Sequence, residues 1–218
     1  MKKILLFLFC IPILSLSQEV NQIDSNGKKQ GIWSKTYKNG SVRYKGQFKD
    51  DKPFGLFYYY HPSGALQAEK KFFHNGNAAA THIFYEDGTL QAAGLYVNEI
   101  KDSTWNYYNT DSVLVMTEEY QNGELNGVTK TYYYQGSLYE VKNWKNDILD
   151  GVWKQFFMDG TLKMESSYKQ GKRDGKQTFY YPNGEVYYKG NYSDDVKSGV
   201  WEYYTNEGVT DTIINYNE

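Results

Sequence analysis

Apolar and polar residues alternate in short runs along this chain, and the alternation recurs every 24 residues. In the stretch from Gly151 to Asp174, Val152 to Phe157 is rich in β-branched and aromatic residues. Asp159-Gly160 is a turn signal, and Leu162 to Tyr168 alternates again. This pattern predicts two strands joined by a hairpin, with a second turn near Gln170-Gly171. With Asp159-Gly160 as a two-residue loop, Phe157 falls opposite Leu162, Gln155 opposite Met164 and Trp153 opposite Ser166. One face then collects Trp153, Leu162, Met164 and Tyr168 and is expected to pack. The other presents Lys163, Glu165 and Ser167 from the second strand and Phe156 from the first.

Eight such units follow one another without insertion or deletion: 31–54, 55–78, 79–102, 103–126, 127–150, 151–174, 175–198 and 199–218. Residues 18–30 form a lead-in, or N-terminal cap. The position of Tyr168 is aromatic in all eight units, and that of Gly160 is glycine in seven, Ser112 being the exception. Leu162 has aliphatic counterparts at Val42, Leu66, Leu90, Leu114, Leu138 and Val186. A lone unit cannot bury its own apolar face, so the units must stack. The expected fold is all-β, an elongated antiparallel array of β-hairpins.

The position of Phe156 recurs as Tyr60, Phe84, Tyr108, Tyr132, Phe156, Tyr180 and Tyr204, with Thr36 in the first unit. At ~4.8 Å between strands the rings repeat every ~10 Å, along a sheet of about sixteen strands and ~75 Å. Two readings of this ladder stay open. A long sheet twists and shields rings on both sides, or the ladder is an exposed platform for binding.

The leader has its own signature. Lys2 and Lys3 precede an apolar run from Ile4 to Leu14, and Ser15 and Ser17 suit a signal peptidase. Residues 1–17 read as a secretory signal, too short to span a bilayer, whose removal leaves Gln18 first. Leu8 and Phe9 before Cys10 do not suit a lipoprotein site, so the only cysteine goes with the leader. Without Lys2 and Lys3 there are 22 basic residues against 26 acidic ones. That balance argues against a nucleic acid partner. No other run is apolar and long enough for a transmembrane segment. An exported protein is expected: periplasmic, outer-membrane-associated or extracellular.

The residues for chemistry are sparse. His61, His74 and His82 lack metal-ligand spacing, and two of them adjoin turns. The carboxylates of Asp50-Asp51, Asp147 with Asp150, and Asp194-Asp195 interleave with lysines and lack a calcium-loop pattern. No nucleophile elbow or phosphate loop occurs. The expectation is a protein that is not an enzyme and has no cofactor or metal.

Gly151-Val152-Trp153, Phe156-Phe157, Asp159-Gly160 and Leu162 together resemble the MORN repeat family, as do Gly199-Val200-Trp201, Tyr203-Tyr204 and Glu207-Gly208. The likeness extends to the bacterial MORN-variant repeats labelled as antitoxins of toxin–antitoxin systems. It covers residues 31 to 218 and implies an elongated hairpin sheet with roles in protein binding, dimerisation, scaffolding or lipid binding. Thr81, Thr129 and Gln177 depart from it where the family has tryptophan. Export also fits poorly with a cytoplasmic antitoxin. The resulting expectation is an envelope scaffold with a protein partner. The alternatives are a glycan- or lipid-binding module that uses the ladder, and an immunity-like protein.

Overall fold

The computed structural model describes residues 19–217; the leader, Cys10 and Gln18 lie outside them. Each main strand pairs antiparallel with the next in chain order, from Lys29–Thr36 to Thr210–Asn215. The result is one open meander of hairpins. Gln22–Ile23, within the lead-in, pairs with the start of the first long strand. The last strand is exposed throughout. Among the described residues only eight apolar ones are fully buried, including Phe57, Trp105, Met164 and Trp201. All of these but Ala78 lie on one face, so the core is a row of side chains there.

Each unit has two turns of different geometry. In the sixth, the Phe157 amide donates to Thr161 O at 2.8 Å and the Gly160 amide to Phe157 O at 3.0 Å. That is a three-residue loop, a type I turn closed by a left-handed residue, and Gly160 supplies φ 89°. All eight units share these two bonds. The expected two-residue loop is therefore corrected: Asp159 stays out of the left-handed region, and its carboxylate accepts the Thr161 amide at 2.9 Å. The two-residue loops with both φ positive lie at the opposite end, as at Asp50-Asp51 (52° and 67°) and Gln170-Gly171 (51° and 84°).

Ser112 occupies the left-handed position at φ 61° without being glycine. Its side chain gains nothing there that offsets the clash of Cβ with the carbonyl. Ser112→Gly is expected to raise stability by up to about 1 kcal/mol. A lower thermal midpoint in the variant would count against this account of the loop.

The three-residue loop moves the register. Gln155 pairs with Met164 and Trp153 with Ser166 as expected, but Phe156 pairs with Leu162 across a shift. Directly paired residues share a face, so the Leu162 row sides with Phe156 and leaves the Trp153 face.

A larger bulge separates successive units. Lys45 pairs with Tyr58 and Gln47 with Phe54, so Gly46 alone faces Gly55, Leu56 and Phe57. The opening residue of the unit bends there with positive φ, at Gly55 (66°) and even at Ser103 (59°). Ala79 opens the third unit without it. Pairing runs unshifted from Ala68–Ile83 to Phe73–Ala78, and the two extra residues lengthen the turn at residues 74–77 instead.

Candidate binding faces

The bulges shape the buried row. The Phe57 ring lies on Gly46, Trp105 on Gly94 and Trp201 on Gly190, so closely that a Cβ on any of these glycines would stand within 2.6 Å of ring atoms. Disrupting the ladder frees a carbonyl, which the indole takes: Trp105 Nε1 donates to Leu95 O at 3.0 Å and Trp201 Nε1 to Asn191 O at 3.1 Å. Trp153 has no facing glycine. It is half-buried and donates to Glu140 at 3.0 Å.

These pairs alternate along the chain. Phe57, Trp105, Trp153 and Trp201 stand 48 residues apart, while Thr81, Thr129 and Gln177 fill the same position in the units between. A second series has the opposite phase. The hydroxyls of Tyr37, Tyr85, Tyr133 and Tyr181 donate to the carbonyls of Tyr60, Tyr108, Phe156 and Tyr204 in the next unit, at 2.7–2.9 Å. From the second unit on, the structural repeat is therefore a pair of units; the first combines Trp33 with Tyr37. A search for a 24-residue period passes over this pairing, although both series are visible in the chain.

Cations lie across the Trp face. The Lys101 ammonium stands 5.0 Å from the Trp105 ring centre and donates to the Tyr107 hydroxyl at 2.6 Å. Lys197 stands 4.1 Å from Trp201. Glu118 accepts the hydroxyls of Tyr107 and Tyr120 at 2.6 and 2.7 Å. Burial first, and then Glu118, raise the Tyr107 phenol far above its ordinary value and push Tyr120 up to about 12.

A phenol whose folded pKa is raised stabilises the fold fully below its unfolded value, and that stability is lost as pH rises through the folded value. Urea midpoints should therefore hold up to the ordinary phenol pKa of 10 and fall from there toward about 12. The fall should be shallower in Tyr107→Phe/Tyr120→Phe. An unchanged slope in that variant would remove this pair as its cause.

The ladder is on the other face. Tyr60, Phe84, Tyr108, Tyr132, Phe156, Tyr180 and Tyr204 are all half-buried. Six of them pair directly with the aliphatic row, from Tyr60–Leu66 to Tyr180–Val186, and Tyr204 pairs with Thr210. None of the seven rings contacts another of the seven, although Phe84 lies 6.5 Å from the His82 ring; the larger ring-to-ring network belongs to the Trp face. The ladder is thus a strip of alternating rings and aliphatic chains beside the three-residue loops. Inward of it the face carries ion pairs, Lys154–Glu165 at 2.8 Å and Lys189–Glu202 at 2.7 Å.

The acidic turns are structural. Asp51, Asp147 and Asp195 accept the backbone amides of Lys29, Leu125 and Arg173, each one unit earlier, at 2.7–3.0 Å. They fasten neighbouring turns together. His61 and His74 sit in turns, and His82 lies 3.9 Å from Glu69. Among the described residues no cluster could hold a metal ion, and no helix is long and apolar enough to cross a membrane.

Residues 29–50, 149–170 and 173–194 each match the MORN repeat variant. The matched windows keep the 24-residue register and run from one two-residue turn to the next. Repeats of this kind are in general non-catalytic modules involved in binding. No curated protein matches the chain.

Proposed function

We propose that this chain is an exported, non-catalytic scaffold of the cell envelope that binds a protein partner along the ladder strip. The observation that carries the reading is the pairing of nearly every ladder ring with a leucine or valine. Sugar rings stack on open aromatic faces, whereas a surface of alternating rings and aliphatic chains offers pockets to the apolar side chains of a protein. The strip repeats in each unit from the second to the seventh and no second layer covers it among the described residues, so it suits an extended partner. An immunity-like role would be one case of this binding. Export is supported by the composition of the leader alone.

Two measurements test the proposal. N-terminal mass spectrometry of the envelope fraction should find a chain beginning at Gln18; an intact Met1 or a lipidated Cys10 would defeat export as stated. Affinity capture from envelope extract should recover a protein on the native chain and lose it on Tyr108→Ser/Tyr132→Ser/Phe156→Ser. If circular dichroism shows that variant to be folded and it retains the same protein, the strip is not the binding surface.

A further inference from the structure

We infer that the hollow between the second and third units, on the Trp face, is a binding site for an acidic sugar, a pyranose ring that carries a carboxylate. This site is separate from the ladder strip and does not depend on the partner proposed there.

The hollow measures about 520 Å³, within the ordinary range for a ligand site. Its walls are the rings of Phe48, Phe57, Tyr59, Phe72 and Tyr96, with Ala78 and Ala79 also lining it. It exists because the third unit puts Ala79 and Thr81 where the second has the Gly55 bulge and the Phe57 ring. Lys70 reaches into it, its ammonium 4.5 Å from the Tyr96 ring centre and 5.7 Å from that of Tyr59. No hydrogen bond or ion pair joins that ammonium to a described residue; burial lowers its pKa, and the charge of Glu99 on the rim opposes that without touching it.

The chain supplies its own comparison 48 residues later. Glu118 stands at the place of Lys70, Tyr107 at that of Tyr59, Tyr120 at that of Phe72 and Lys101 at that of Pro53. There the carboxylate takes both tyrosine hydroxyls and lies 4.0 Å from Lys101, so the charges are satisfied internally. Lys142, the next lysine at the strand position of Lys70, is paired with Glu140 at 2.7 Å. At Lys70 the charge is reversed and the protein contributes no anion in contact.

A ligand carboxylate completes that ammonium with a charge-assisted bond, about twice as strong as a neutral one. The aromatic walls suit the C–H face of a sugar ring. The rim adds acceptors for its hydroxyls: Glu99, and the oxygen of Asp51 that does not hold the Lys29 amide. One carboxylate and several hydroxyls on a flat ring meet all three features.

Isothermal titration calorimetry with oligogalacturonate, and with a neutral galactose oligomer of equal length, tests the site. The acidic oligomer should bind the native protein at least tenfold more tightly than the neutral one. Lys70→Met, which keeps the apolar stem, should lose at least tenfold, and so should Tyr96→Leu. Lys142→Met should bind as the native protein does. No binding of oligogalacturonate, or equal binding by Lys70→Met, would overturn the proposal. If Lys70→Met does not fold, the neutral oligomer decides, and equal affinity of the two oligomers for native protein overturns the proposal.

Discussion

Gly94→Ala is expected to destabilise the protein severely while Trp105 is present and hardly at all once Trp105 has been removed. A Cβ at residue 94 would stand 2.3–2.6 Å from three indole atoms. The indole is 1% exposed, and its N–H is held by Leu95 O, so it has nowhere to retreat. Gly94 does not have positive φ, so the substitution adds no backbone strain and reads the contact alone. Overpacking of this kind costs ~1–3 kcal/mol, and Trp105→Ala costs ~3–5 kcal/mol through lost burial and the void it leaves. In the double variant the new methyl enters that void, so the two effects should fall short of additive by ~1–3 kcal/mol. Urea unfolding of the four proteins measures the coupling. Strict additivity would mean that the glycine is not there to receive the ring. The same cycle is expected to hold at Gly46 with Phe57 and at Gly190 with Trp201, where the contacts are as close.

The sixteen main strands and the meander were legible because they depend on local signals, alternation and turn residues; the short strands Gln22–Ile23, Glu124–Leu125 and Ile148–Leu149, which bring the sheet to nineteen, were not. The loop length was not. An Asn-Gly pair serves a two-residue loop or the end of a three-residue loop equally well, since both place glycine in the left-handed region. The difference is whether Asn39 or Asp159 turns left-handed as well, and each instead uses its side chain to hold the amide two residues on. That one residue moved Leu162 to the other face, because side chains alternate with period two.

The bulges were hidden for a different reason. Gly55 and Ser103 look like unit boundaries, yet their positive φ exists to fold two extra residues over one, which only the pairing reveals. The doubled repeat was legible in principle. Thr81, Thr129 and Gln177 look like lapses from a tryptophan motif only when all units are treated as equivalent. Set against Tyr85, Tyr133 and Tyr181 in those same units, they mark a second kind of unit. The ladder residues were found at one strand position and on one face. Their half-burial depends on the aliphatic partners that the register shift brought beside them. The isolation of Lys70 could not have been read, because it depends on what lies within bonding distance in three dimensions.

Deleting residues 103–150 should leave a more stable protein than deleting residues 103–126, although it removes twice as much chain. If every 24-residue unit were equivalent, the smaller deletion would be the milder one, since repeat arrays lose stability unit by unit. The alternation reverses that order. After the shorter deletion the third unit meets the fifth, so Gly94 faces Thr129 and the space filled by the Trp105 ring is left empty. Lys142 also takes the place of Glu118 beside Lys101, so repulsion replaces an ion pair now spanning 4.0 Å. After the longer deletion the third unit meets the sixth. Gly94 then receives Trp153, the position of Glu118 is filled by Ser166, and the Tyr85 hydroxyl finds the Phe156 carbonyl in the role of Tyr108. An unfilled space of ring size and an unpaired buried contact together cost ~2–4 kcal/mol, more than one added unit returns when its interface is mismatched. Urea unfolding of the two shortened proteins decides the order, with circular dichroism confirming that both retain their strands. If the shorter deletion proves as stable as the longer one, the repeat is the single 24-residue unit after all, and the glycine–ring contacts do not govern how units join.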